Sequence, residues 1–183
     1  PSREALWAES MRWATAQLEH ATERYRQSSL QVLRLAFLST AVLELFASKV
    51  GNMIVASADL SNSDNTQSFL NKTKALKKGD FSGSFLQAGV SELTMSALSV
   101  GMALHGGVIP VCATFFAFSD YMKPVLRLAA LMEIPTIFIW THDSFRVGED
   151  GPTHQPIEQE AQLRLLEKLH NHSGKPGFLA LRP

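Results

Sequence analysis

The chain has 183 residues, 45% of them apolar and 19% charged. That is long enough for one domain with a sizeable core and too apolar for a disordered polymer. Lys plus Arg balance Asp plus Glu at 17 each, so no net field draws a polyanion and nucleic acid is not expected as a partner.

Pro1 opens a charged segment without a secretory-leader pattern. Residues 2–27 carry Trp7, Met11, Ala14, Leu18, Ala21 and Tyr25 at alternating spacings of four and three, which predicts a helix with a heptad-like stripe. It is either an amphipathic helix packing on its own domain or a linker helix whose partner surface lies elsewhere. Residues 1–28 are therefore set apart from a main domain over 29–183. Residues 30–49 predict a second, more apolar helix. Gln31, Arg34, Glu44 and Lys49 interrupt it, so it reads as a buried helix and not as a membrane span. Met53 to Ser57 predicts a strand, and the Ser- and Asn-rich stretch Asp59 to Ser68 a loop. Lys72 to Asp80 is a basic, Gly-ended connection, and Phe85 to Gly89 a second strand. Ser91 to Leu104 predicts a helix with Ser91 as its N-cap and Gly106-Gly107 as its stop. Val108 to Ala113 predicts a strand holding the single cysteine, Cys112. Cys112 reads as a small buried hydrophobe, and a reducing cytoplasm is the expected compartment. Ser119 to Met132 predicts a helix with Pro124 in its first turn. Pro135 to Trp140 predicts a strand, Pro156 to Leu169 a helix, and Phe178 to Leu181 a last strand. The chain starts on Pro rather than Met and closes on Pro183 after an apolar run, so it is expected to be a segment of a longer polypeptide.

Strands alternate with helices, and the strands are near-continuous apolar runs. That pattern predicts an α/β fold: a three-layer αβα domain whose mostly parallel sheet is covered on both faces. Ligands in such sheets bind beyond the carboxyl ends of the strands. Three polar segments leave that edge: Asp59 onward, Thr114 to Tyr121, and Thr141 to His154.

Each candidate has a bland reading beside the functional one. Glu92 is either a first-turn acid favoured by the helix dipole or a carboxylate held by Val90, Leu93 and Met95 for proton exchange with a bound ring. Phe115, Phe118 and Tyr121 recur every three residues, as core packing at helical spacing or as an aromatic wall for a flat ligand. His142, Asp150 and His154 match no compact zinc spacing. They read as metal ligands, as exposed loop residues, or as acid–base and hydrogen-bonding groups toward a sugar. Asp59 and Ser63 are turn residues or ligand contacts.

Several segments together resemble transketolase, specifically its central pyrimidine-binding domain. Ser57-Ala58-Asp59-Leu60-Ser61-Asn62-Ser63 is similar to the family's Ser-Ala-Asp-Leu-Thr-Pro-Ser, and Gly89-Val90-Ser91-Glu92-Leu93 to Gly-Val-Arg-Glu-His. Thr114 to Tyr121 resembles Thr-Phe-Leu-x-Phe-x-x-Tyr. Arg127 to Leu131 and the loop Thr141 to Pro156 match almost residue for residue, and the order holds over roughly 30–183.

The resemblance implies an enzyme that moves a two-carbon ketol unit from a ketose phosphate to an aldose phosphate with thiamine diphosphate. It implies that Glu92 hydrogen-bonds a ring nitrogen of the cofactor's pyrimidine, that Phe115, Phe118 and Tyr121 surround the ring, and that Asp59 and Leu60 sit near it. His154 and Asp150 would contact the donor ketose, and His142 and Ser63 would reach its phosphate end. The diphosphate and its Mg or Ca ion would belong to a separate domain of a second subunit in a homodimer. Here Gly79-Asp80 runs into Phe81, so the family's Gly-Asp-Gly site is not in this chain and no metal ligand is assigned to it. The sequence departs from the family at Ser91 and Leu93, where Arg and His are usual, and at Ala36, where a phosphate-binding Arg falls. Arg34 is two residues away and points elsewhere on a helix. Phe145-Arg146 replaces Ile-Gly, and Arg146 is the cation expected in compensation. The alternatives are another thiamine-diphosphate enzyme, such as deoxyxylulose-phosphate synthase, and a non-catalytic scaffold subunit.

Overall fold

The computed structural model describes residues 34–143, 147–148, 150–170 and 176–180, together with Arg12 and Gly174. Apart from Arg12, the helix expected over 2–27 lies outside the described residues, as does Arg146.

Strands β1 (Met53–Ser57), β2 (Phe85–Gln87), β3 (Ile109–Phe115) and β4 (Ile137–Thr141) form one sheet in the order β2-β1-β3-β4. Every pairing is parallel, with Val55 beside Phe85, Ser57 beside Ala113 and Phe115 beside Thr141. Alternate residues of a strand point to opposite faces. Val55, Val111, Ile137 and Ile139 join Leu43 and Phe46 of helix α1 (Arg34–Lys49) and Phe69 of α2 (Gln67–Lys72) on one face. Ala56, Cys112, Phe138 and Trp140 pack on the other face, against Met95 of α3 (Glu92–His105), Leu126 of α4 (Lys123–Leu131) and Leu163 of α5 (Gln159–Leu166). Both faces of each strand are thus apolar, which is why the strands are continuous hydrophobic runs in the sequence. The three-layer expectation agrees with this architecture.

Four local expectations are corrected. Residues 67–72 are helical rather than a loop and a connection; fully buried Phe69 anchors this short helix. The helix expected over Ser119 to Met132 is two elements, a 3-10 helix over Phe116–Met122 and then α4, with Pro124 in the first turn of α4. The last helix begins at Gln159, not Pro156. Residues 178–180 form no strand; Phe178 packs on Trp140 with ring centroids 6.4 Å apart, and the Ala180 N–H donates to Glu167 Oε1. An apolar run serves here to cover the sheet instead of extending it.

Candidate active site

Because all four strands are parallel, their carboxyl ends share one edge. Phe115 closes β3 and leads directly into the 3-10 helix. Three residues per turn align every third side chain on one side of such a helix. The Phe115 and Phe118 rings stack at 5.8 Å and 10°, and Phe118 meets Tyr121 at 6.2 Å. The spacing of three that suggested helical core packing is the period of this tighter helix. Tyr121 is exposed and Phe118 half-buried, so the outer end of the row is a wall and not core.

The β3–β4 register places Phe115 beside Thr141, the residue before His142. His142 adopts left-handed backbone, φ 55°, and its ring lies on Phe115 at 3.8 Å and 26°. His154 ends the 3-10 turn Pro152–His154 and meets Phe115 and Phe118 edge-on at 6.0 and 5.1 Å. Five rings from three chain segments therefore form one continuous surface. The Thr141 hydroxyl lies 3.1 Å from His142 Nδ1 and the Thr153 hydroxyl 2.9 Å from His154 Nδ1, which leaves Nε2 of each ring to offer a ligand. Burial holds the His142 imidazolium below its ordinary range, opposed by Asp150, Asp64 and Asp143 and aided by His154, so His142 is neutral at pH 7. A mostly polar cleft of about 280 Å³ adjoins the wall, between Phe118, Asp120, Tyr121, Thr153, Gln155 and Gln159. Gln159 donates to Asp120 Oδ2 at 3.0 Å, which ties α5 to the 3-10 helix.

Glu92 is the first residue of α3 and only 7% exposed. The Thr114 hydroxyl, on the residue before Phe115, donates to Glu92 Oε1 at 3.3 Å. Val90 and Leu93, expected to bury this carboxyl, are instead 82% and 50% exposed. The sheet edge, through fully buried Thr114, does the burying. Ser91 does not cap α3; its hydroxyl donates to Ala88 O at 2.8 Å. The start of α3 therefore has a carboxylate and no capping hydroxyl at its positive end.

Asp59 is exposed and has φ 67° at the end of β1. Leu60 is half-buried and Ser63 exposed on the same loop. Sequence reasoning passed over Asp64 at its far end, which is fully buried. It accepts from Ser57 Oγ at 2.5 Å and Thr66 Oγ1 at 2.7 Å. Burial pushes the Asp64 carboxyl above the ordinary carboxylate range, against the Ser57 and Thr66 hydrogen bonds and the attraction of His142. The one available signal was Asp64 followed two residues on by Thr66, the spacing of a local side-chain turn. Asp150 is exposed and acts on His142 electrostatically. Among the described residues, no group of three or more His, Cys, Asp or Glu is placed to hold a metal ion.

A family model described as the transketolase pyrimidine-binding domain matches residues 33–173. The chain belongs to the transketolase family. It is 47% identical over 146 residues to a transketolase of Halalkalibacterium halodurans, covering 79% of this chain and 20% of that protein. It is also 45% identical over 132 residues to transketolase 1 of Vibrio parahaemolyticus, covering 72% and 20%. The structure superposes on transketolase from Leishmania mexicana with a TM-score of 0.68 at 35% identity, over 71% of this chain and 19% of that one. Campylobacter jejuni transketolase gives 0.64 at 41% identity, over 69% and 19%. The chain thus spans about a fifth of the length of the transketolases it matches. Membership in this family separates it from the deoxyxylulose-phosphate synthase alternative.

Proposed function

We propose that this chain forms the pyrimidine-binding half of a transketolase active site. The longer protein would transfer a two-carbon ketol unit from a ketose phosphate to an aldose phosphate with thiamine diphosphate, in the cytoplasm. The observation that carries the reading is a buried carboxylate, Glu92, bonded to the strand neighbour of Phe115 in a continuous wall of rings. One carboxylate and several aromatic faces fit a flat aminopyrimidine. They do not fit a diphosphate with a divalent ion, which needs cationic or clustered acidic ligands.

When bound, thiamine diphosphate supplies a nucleophilic carbon and an electron sink. Glu92 would bind a ring nitrogen and hold its proton, in a site where burial strengthens that bond. Phe115, Phe118 and Tyr121 would pack on the ring and exclude water, with Asp59 and Leu60 nearby. His154 and Asp150 would orient the donor sugar, and His142 and Ser63 its far end. The diphosphate and its Mg or Ca ion would be held by another domain, in the second subunit of a homodimer. The apolar groove along α3, about 590 Å³ and lined by Ala97, Leu98, Gly101 and Met102, supports burial of this helix against a partner. Residues 1–28 would be a packing or linker segment ahead of the domain at 29–183. Arg146 would supply the phosphate-binding cation that Ala36 does not.

The decisive experiment is Glu92→Gln in the full-length protein. The carboxamide keeps the shape and loses the charge, so kcat is expected to fall by about 10²–10⁴-fold. Activity unchanged by the substitution would instead remove Glu92 from the chemistry and leave this chain a scaffolding role, a reading that Ser91 and Leu93 support. The 183-residue chain alone is expected to bind thiamine diphosphate and magnesium weakly in calorimetry; tight binding overturns the division of the site.

A further inference from the structure

The 3-10 helix Phe116–Met122 runs for seven residues, longer than the about three or four that such a helix sustains on its own poorly aligned hydrogen bonds. It needs support from its neighbours. At about three residues per turn it has three sides. Phe116, Ser119 and Met122 form the first and are buried. Phe118 and Tyr121, in line with Phe115, form the second, the ring wall. Ala117 and Asp120 form the third, and Lys123, the first residue of α4, continues it.

The Asp120 carboxyl joins three elements. Its Oδ1 accepts from Lys123 Nζ, and its Oδ2 accepts from Gln159 Nε2 at 3.0 Å. Gln159 is the first residue of α5 and only 4% exposed. Earlier on the same segment, His154 ends the turn Pro152–His154 and meets Phe118 edge-on at 5.1 Å. The segment from His154 to Gln159 is therefore held to the 3-10 helix at both ends, by a ring contact and by a hydrogen bond. Both sides of that junction line the polar cleft.

Stability alone does not account for a glutamine at this position. Gln159 lies one turn before Leu163, on the face of α5 that enters the core, where an apolar side chain is the ordinary choice. Its Oε1 is buried and has no hydrogen-bond partner among the described residues. A buried acceptor without a donor destabilises a fold, and a methionine of similar shape would fill the space without that cost. The half of the amide that is used is the half that reaches Asp120.

We propose that Gln159 is a positioning residue: its hydrogen bond to Asp120 holds the 3-10 helix against the His154 segment and so fixes the Phe118–Tyr121 wall relative to His154. The effect on cofactor affinity rests on the reading of that wall as a pyrimidine site; the effect on the helix does not.

The test is Gln159→Met in the full-length protein. In the cofactor-free state, amide hydrogen exchange across Phe116–Met122, followed by mass spectrometry, is expected to run about tenfold faster relative to β3. The urea midpoint is expected to stay level or rise, because the unpaired Oε1 is removed together with the donor. Calorimetric affinity for thiamine diphosphate with magnesium is expected to weaken about tenfold, with kcat at saturating cofactor within about twofold of wild type. Asp120→Ala is expected to reproduce the faster exchange, and adding Gln159→Met to it to change nothing further. A lower midpoint with unchanged exchange shows a packing role only and overturns the proposal, as do additive effects in the double variant. Should Gln159→Met fail to fold, Asp120→Ala is compared with Lys123→Met, which leaves the Gln159 bond in place; equal exchange in those two overturns the proposal. If the full-length protein binds no thiamine diphosphate, the functional reading fails, while exchange in the cofactor-free protein still decides the role of Gln159.

Discussion

Thr114→Val removes one hydroxyl from the site and preserves shape. Thr114 is fully buried and donates to Glu92 Oε1 at 3.3 Å. That is long for an O–H···O bond, whose usual span is about 2.5–3.0 Å, so the bond itself is weak. The larger effect is on what remains. Glu92 is 7% exposed, and Thr114 is the side chain that donates to it among the described residues. A buried acceptor left without a donor costs about 1–3 kcal/mol, and the long distance places this case near the lower end, about 1 kcal/mol. In urea unfolding this appears as a lower midpoint at unchanged slope; with a slope of about 2 kcal/mol/M the midpoint moves by about 0.5 M. Glu92→Leu supplies the second side of a double-mutant cycle. In that background Thr114→Val is expected to be near neutral, giving a coupling of about 1 kcal/mol. Equal costs in both backgrounds, or none in the wild type, show that Thr114 does not support Glu92.

Asp64 makes stability pH-dependent with an unusual sign. Its folded pKa lies above the ordinary 3.8, so between the two values the folded chain holds more protons than the unfolded one. The contribution is present at low pH and lost as pH rises from about 3.8 through the folded value. The stability difference, wild type minus Asp64→Asn, is expected to fall as urea titrations move from about pH 3 to about pH 7; a flat difference excludes the linkage. Leu126→Ala empties a fully buried site beside Met95, Met122 and Leu163, and is expected to cost about 3 kcal/mol in the same assay. Gly83→Ala sets a Cβ 2.4 Å from Lys74 O and 2.7 Å from Ala75 C, both backbone atoms that cannot yield cheaply. A loss of about 2 kcal/mol and faster amide exchange at Phe85, whose N–H donates to Lys74 O, are expected. Gly51→Ala, with open space around its Cβ, is the near-neutral control.

The major strands were legible because both faces of a central parallel strand are apolar. Met53–Ser57 agrees to the residue, and β3 and β4 within two. Gln67–Lys72 was not legible: six residues are too few for a helical period, and Phe69 alone holds the element down. Glu92 and the Phe-Phe-Tyr row were visible as residues but not as an arrangement. Their spacing of three fitted an α-helical core equally well, and Val90 and Leu93 looked like the carboxyl's shelter until they proved exposed. Asp64 sits in a Ser- and Asn-rich stretch where an acid reads as an ordinary turn residue; nothing local marks its carboxyl as buried.

Hydrophobic periodicity and turn residues were sufficient for the α/β class, the parallel sheet and the edge where chemistry would gather. Those depend on neighbours in the chain, within reach of 2- and 3.6-residue periods. Which side chains meet at that edge depends on the strand order β2-β1-β3-β4 and on the pairing of Phe115 with Thr141. That register lays His142 on Phe115 across 27 positions of sequence. The hydrogen bond from Thr114 to Glu92 is likewise a contact between segments far apart in the chain. Pairing of distant strands is set by the packing of the whole core, which no local pattern encodes.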